Sequence, residues 1–295
     1  MATLLCFGLG YSAQHYLASY GRRYERVWAT VRDAERAAEL SSSAQSGITA
    51  LAFDGTVASA DLCGAIAQAE AVLVSVPPDA SGDPVLAICG EALTCAARLR
   101  FIVYLSTVGV YGNYDGAWVD EASECRPSDE RNRQRLAAER AWQDLGVRTG
   151  VPVAILRVAG IYGPGRNALE NLRRSTAKRI AKPGQVFNRI HVTDIAQAIE
   201  AAFKCCSSGI FNVADDEPTP PGDPIVFAAR LLGVEPPQEI PFAKARTAMT
   251  EFAASFYAEA KRVRNVKLKS VLGVKLRYPT YREGLSALHH DGDDE

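Results

Sequence analysis

Leu4-Leu5-Cys6-Phe7-Gly8-Leu9-Gly10-Tyr11-Ser12-Ala13 is the stretch that decides the fold. Its four leading apolar residues make a short strand, a glycine turn follows, and the amphipathic run from Ala13 to Tyr20 reads as a helix. Gly8 to Ala13 fits the pattern G-x-G-x-x-G/A between that strand and that helix. The first glycine permits the tight turn, the second lets the backbone approach a pyrophosphate, and Ala13 is small enough for close helix–strand packing. Free N–H groups at the helix start then point at phosphate oxygens. Gly8, Leu9, Gly10, Tyr11 and Ser12 are therefore candidate cofactor-binding residues for a dinucleotide.

Outward from this loop, strands and helices alternate. Arg26 to Val31, Ile48 to Phe53, Ala71 to Val76, Phe101 to Leu105 and Val153 to Val158 read as strands. Ala34 to Leu40, Ala58 to Ala69, Pro84 to Arg98 and Leu136 to Leu145 read as the helices between them. Such alternation needs crossover connections, which predicts a doubly wound α/β fold with a parallel sheet covered on both faces. After Tyr162 the pattern becomes irregular and proline-rich, although Ile210 to Val213 still reads as a strand. The expected division is a dinucleotide-binding domain of residues 1–162 plus about 188–217, with a smaller substrate lobe of residues 163–187 plus about 218–295. The lobe is expected over the carboxyl edge of the sheet, where such folds bind ligands.

The end of the second strand bears on the cofactor. It reads Ala29-Thr30-Val31-Arg32-Asp33, with a neutral residue and a cation where an NAD site usually offers a carboxylate to the ribose. Arg32 facing a 2′-phosphate favours NADP, with NAD as the alternative if Arg32 is only a solvated surface residue. Asp54 closes the third strand, as an acceptor for the adenine amino group or as a turn residue. Ser75, Val76 and Pro77 end the fourth strand, where their backbone lines the cofactor.

Composition excludes several classes. The 295 residues carry 33 Lys+Arg against 34 Asp+Glu, a net charge of −1, so there is no basic excess for nucleic acid. A hydrophobic share of 47% is enough for a folded core. No apolar run approaches the roughly 20 residues of a membrane helix. The apolar opening from Met1 to Gly10 lacks a basic flank and breaks at Gly8, so no signal peptide is read. Seven cysteines without a CxxC pair are expected as buried free thiols in a reducing cytoplasm. Four histidines show no metal-ligand spacing, so no metal is expected.

Further motifs accumulate along the chain: FGLGYSA, VYLSTVGVYG (Val103 to Gly112), LRVAGIYGPGR (Leu156 to Arg166), RIHVTDIAQAI (Arg189 to Ile199) and KRVRNVKLKSVLGVKLRYPTYREGL (Lys261 to Leu285). Together they resemble the extended short-chain dehydrogenase/reductases, the NAD-dependent epimerase/dehydratase family, nearly end to end. The resemblance implies a Rossmann domain, with Ser106 beside the cofactor and a Ser/Thr, a Tyr and a Lys doing the chemistry. The hydroxyl falls on Thr107. In the frame Pro127 to Glu139, however, the Tyr position is Arg131 and the Lys position is Arg135. An arginine does not exchange its proton near neutral pH. The family's supporting Asn aligns on Asp83.

These departures resemble an atypical, YeeZ-like branch that keeps the glycine loop and largely loses the catalytic set. Tyr111, Tyr162, His191 and Asp83 are the candidates to replace the missing acid or base, each against a structural reading. By resemblance, Arg166 and other arginines of the second half bind a phosphate or carboxylate of a small-molecule substrate, and the fourth and fifth helices form a homodimer. Two functions follow: an NADP(H)-dependent oxidoreductase or epimerase/dehydratase, and a non-catalytic redox sensor. An open cavity reaching Thr107 favours the first, and Arg131 and Arg135 filling it the second.

Overall fold

The computed structural model describes residues 3–42 and 47–293; Met1 and Ala2, at the head of the apolar opening, lie outside them. Seven parallel strands form one sheet: β1 (Thr3–Phe7), β2 (Arg26–Val31), β3 (Ile48–Ala52), β4 (Ala71–Val74), β5 (Phe101–Thr107), β6 (Val153–Val158) and β7 (Gly209–Val213). Their order is β7-β6-β5-β4-β1-β2-β3. This is the doubly wound Rossmann architecture. The order reverses between β1 and β4, where a crevice opens at the carboxyl ends of the strands.

Alternate residues of each strand serve opposite faces. Leu4, Cys6, Leu73, Val103 and Leu156 pack beneath α1 (Tyr11–Tyr20), and α6 (Val192–Cys205) adds Ile195, Ile199 and Phe203 to this core. Leu5, Phe7, Val72, Ile102 and Ile155 face the other way. There they meet α3 (Ala60–Gln68), α4 (Pro84–Thr94) and α5 (Glu130–Thr149), with Trp142 fully buried; α2 (Ala34–Ser42) flanks β3. A separate small core gathers Tyr162, Leu169, Ala228, Tyr281 and Leu285. The stretch of the expected lobe holding Val263, Leu268, Leu272 and Val274 packs instead into the first sheet core.

Two differences from the sequence reading have plain causes. Helix α5 starts at Glu130 rather than Leu136, because Asp129 caps it and accepts from the Asn132 N–H at 2.8 Å. Its first turns are polar and show no apolar period to read. The cysteines are not uniformly buried: Cys6 and Cys89 are, but Cys63, Cys95, Cys205 and Cys206 are exposed on outward faces or helix ends. Among the described residues no helix is long and apolar enough to cross a membrane.

Beneath the carboxyl ends of β5 and β6 lies a buried ion pair. Arg157 is 3% exposed and Glu139 1%. The Arg157 guanidinium donates to Glu139 at 2.7 and 3.1 Å, and the Ser106 hydroxyl donates to the same carboxylate. Changing Glu139→Gln leaves the Arg157 charge buried without its counter-ion. Urea unfolding should report a loss of about 3–5 kcal/mol.

His191 begins α6: its Nδ1 accepts from the Thr193 N–H, and its ring lies between Tyr162 and Tyr278. Burial, with help from His15 and Arg277, lowers its pKa from 6.5 to about 4. The unfolded chain takes up a proton near pH 6.5 that the fold refuses until about 4, so this group makes stability fall as pH drops through that window. His191→Asn keeps a capping side chain and should flatten that slope, removing about 3 kcal/mol of acid sensitivity in denaturation curves across the window.

Candidate active site

The glycine loop is held from two sides. The Gly8 N–H donates to the Thr30 hydroxyl and the Leu9 N–H to the Thr30 carbonyl, both at 2.9 Å. From the β4 side, the Ser75 hydroxyl donates to the Gly8 carbonyl at 2.7 Å. Gly8 has φ +88°, and a Cβ there would lie 2.9 Å from Ser75 Oγ and 3.0 Å from Val76 Cγ2, so no other residue fits. Thr30 and Ser75 thus position the loop, with Val76 and Pro77 continuing the wall.

Gly10 is the converse: a Cβ there would meet nothing within 4 Å. No side chain caps α1 and no acidic residue occupies its first turn. The first N–H groups, at Tyr11 and Ser12, therefore face open space with the positive end of the helix behind them. These features fit a dinucleotide pyrophosphate. Arg32 lies one residue past β2, exposed and without an ion pair among the described residues. Asp54 is exposed past β3, and its Oδ1 accepts from the Thr56 N–H at 2.9 Å and hydroxyl at 2.6 Å. Those bonds hold its carboxyl pKa below the usual range.

Beside the loop, at the carboxyl ends of β5 and β6, is a cavity of about 510 Å³. Ser106, Thr107 and Gly109 form one wall, and Val158, Ala159 and Tyr162 another. Phe187, Arg189, Phe256 and Lys261 come from later in the chain. Thr107 Oγ1 accepts from the Gly109 N–H at 3.1 Å, which leaves its hydroxyl proton for a ligand. Arg166 joins this cavity to the glycine loop: it lines the cavity, and its guanidinium stands 5.9 Å from the centre of the Tyr11 ring.

The two arginines of the expected catalytic frame separate. Arg131 lines the cavity, its guanidinium 4.5 Å from the Phe252 ring centre and 5.6 Å from that of Phe256. Arg135 turns under the wall and donates to the Tyr104 hydroxyl at 2.9 Å and the Leu105 carbonyl at 3.1 Å. Asp83 is away from the cavity: it caps α4 through the Val85 and Leu86 N–H groups and accepts from the Trp142 indole at 2.9 Å. Tyr111 is fully buried, donating to Asn212 Oδ1 at 2.7 Å under the Arg157 guanidinium. His191 is likewise off the wall. Tyr162 is on it, but its hydroxyl points to the Thr280 carbonyl.

The titratable pair that does reach the cavity is Glu259 and Lys261. Lys261 is 6% exposed, and its Nζ donates to Glu259 Oε2 at 2.6 Å and to the Gly112 carbonyl at 2.8 Å. Ser128 Oγ donates to the other Glu259 oxygen at 2.5 Å. Burial lowers the Lys261 pKa, opposed by Glu259. A signal existed: the two residues are spaced by two in a segment outside any helix, which puts both on one side of an extended chain.

Residues 84–214 match the model of the NAD dependent epimerase/dehydratase family. The chain is 31% identical over 193 residues to Protein YeeZ of Escherichia coli (strain K12), covering 62% of this chain and 66% of that protein. It is 32% identical over 137 residues to a 3-diazoavenalumate denitrifying reductase of a Streptomyces species, covering 44% and 45%. The matched stretches span less than two thirds of either relative. A conserved protein of unknown function from Silicibacter pomeroyi DSS superposes with a TM-score of 0.86 at 42% identity, over 99% of this chain and all of that one. The dTDP-glucose 4,6-dehydratase of Bacillus anthracis in complex with NAD shares the fold, with a TM-score of 0.76 at 14% identity over 100% and 97% of the two chains. Loop and strand order agree with these likenesses: residues 84–214 carry a domain of the NAD-dependent epimerase/dehydratase family.

Proposed function

We propose that the protein is an NADP(H)-dependent reductase of a small organic substrate. The observation that carries this reading is the open cavity at Thr107, which Arg135 leaves clear and Arg131 only borders. A redox sensor has no use for a chamber beside that hydroxyl. Epimerisation and dehydration begin by taking a proton from substrate, and the arginine at the tyrosine position cannot do so. Reduction requires proton donors, and Thr107 and the Lys261 ammonium are donors on the wall. The partial likeness to a relative named as a denitrifying reductase points the same way.

In this reading the N–H groups at the start of α1 would hold the pyrophosphate, Arg32 would pair with the 2′-phosphate, and Ser106 and Thr107 would border the nicotinamide. When bound, the reduced cofactor supplies a hydride. Thr107 orients the acceptor group by a hydrogen bond. Lys261 Nζ holds the proton that the substrate heteroatom takes up, and Glu259 fixes the ammonium in place.

Calorimetric titration should show NADPH binding about tenfold or more tighter than NADH, and Arg32→Ala should abolish the preference. Equal affinities in the wild type would remove NADP from the reading, and no binding of either nucleotide would end it. The chemistry is tested by screening carbonyl, imine and diazo compounds for oxidation of NADPH. For any compound turned over, Lys261→Met and Thr107→Val should each lower kcat about 10²-fold with NADPH affinity unchanged. Wild-type kcat should fall as pH rises through a value below that of an ordinary lysine, because burial destabilises the ammonium. If NADPH binds and no compound is reduced, the sensor reading replaces this one.

A further inference from the structure

Six charged side chains line the cavity: Asp129, Arg131, Arg166, Arg189, Glu259 and Lys261. Both acids are committed. Asp129 caps α5 and accepts from the Asn132 backbone at 2.8 Å and its side-chain amide at 2.7 Å. Glu259 is taken by Lys261 and Ser128. Among the cations, Lys261 answers Glu259. Arg189 donates to the Phe187 carbonyl and the Thr219 hydroxyl, and the charge of the buried Asp215 favours its charged form. Arg166 stands at the junction with the glycine loop.

Arg131 and Arg166 differ from the other cations: among the described residues neither forms an ion pair. Arg166 lies against the Tyr11 ring of the glycine loop, whereas the neighbours of Arg131 are two phenyl rings. Stacking uses the flat face of a guanidinium and leaves its N–H edge for a ligand. The cavity that Arg131 borders has apolar walls at Val108, Val158, Ile161, Phe187 and Phe256. A planar cation without a counter-ion, beside apolar walls, is complementary to an anion carried on an apolar body. The guanidinium fork matches a carboxylate with two parallel hydrogen bonds. A phosphate dianion calls for a second free cation; Lys261 and Arg189 are engaged elsewhere, and Arg166 stands over Tyr11 at the glycine-loop end, on the side the proposed reading gives to the nucleotide.

We infer that the substrate is a carboxylate on an apolar body, and that Arg131 is its anchor, at the position where the family's usual frame has a proton-transferring tyrosine. The inference rests on the cavity being the substrate site of the proposed reductase. It also gives the Tyr-to-Arg exchange a purpose: the position has passed from moving a proton to fixing a charge. Proton supply then falls to Lys261, held by Glu259.

The test uses the full-length protein, with and without saturating NADP⁺, and three probes: trans-cinnamate, the neutral cinnamamide and phenyl phosphate. Calorimetry should show saturable binding of cinnamate and much weaker binding of the other two. Arg131→Gln should weaken cinnamate at least about tenfold. NADPH affinity and Tm should stay at wild-type values, since Arg131 touches only exposed rings. Arg131→Lys, which keeps the charge but not the fork, should recover only part of the loss. The inference is overturned if wild type does not bind cinnamate, if cinnamamide or phenyl phosphate binds as well, or if Arg131→Gln retains cinnamate affinity. NADPH titrated into the same samples separates the two questions: lost nucleotide binding with intact, Arg131-dependent cinnamate binding would sink the reductase reading and leave the anchor standing.

Discussion

Glu139 and Arg157 meet where α5 crosses the carboxyl ends of β5 and β6, and the floor of the cavity rests on that meeting. Neither charge touches water, so each is tolerable only because the other is there. The pair also reaches outward. Glu139 fixes the Ser106 hydroxyl on β5, while Arg157 carries the Tyr111 ring 4.8 Å from its guanidinium carbon. Tyr111 in turn holds Asn212 of β7, whose amide donates to the Arg264 carbonyl. Three strand ends, a helix and the returning C-terminal chain are tied through one ion pair. Thr107, next along from Ser106, inherits its place from that arrangement.

The sheet was legible because parallel strands buried on both faces are continuous apolar runs, and the runs at Leu4–Phe7 and Ala71–Val74 are buried throughout. The glycine loop was legible for a similar reason: its residue types answer local steric demands. The site was harder. Asp83, Tyr111 and His191 carry chemistry that a sequence reader notices, yet the fold spends them on helix caps and a buried hydrogen bond. Nothing in residue type or spacing reveals such a commitment, since it depends on partners such as Trp142 and Asn212 that are remote in the chain. Arg131 and Arg135 look alike in sequence and differ by one helical turn, enough to send one to the cavity and the other beneath it. Lys261 reaches the cavity from a distant part of the chain, through a contact more than a hundred residues away in sequence.

The outcome is a site whose polar groups mostly give hydrogen bonds. Thr107, Arg131 and Lys261 present donors to the cavity, while both wall carboxylates are already occupied. Such a lining stabilises negative charge that develops on a bound molecule and offers little to a group that must lose a proton. That property of the lining is what the proposed reduction rests on.

Tyr11 has a consequence of its own. Its hydroxyl donates to the Pro164 carbonyl at 3.0 Å, and Arg166 stands over its ring while lining the cavity. The glycine turn is therefore physically joined to a turn that borders the cavity. A displacement of Tyr11 has a direct route to Arg166. Were two ligands bound there to influence each other, thermodynamic linkage would make the influence mutual, each altering the other's affinity by the same factor. One tyrosine and one arginine form the bridge that such coupling would cross.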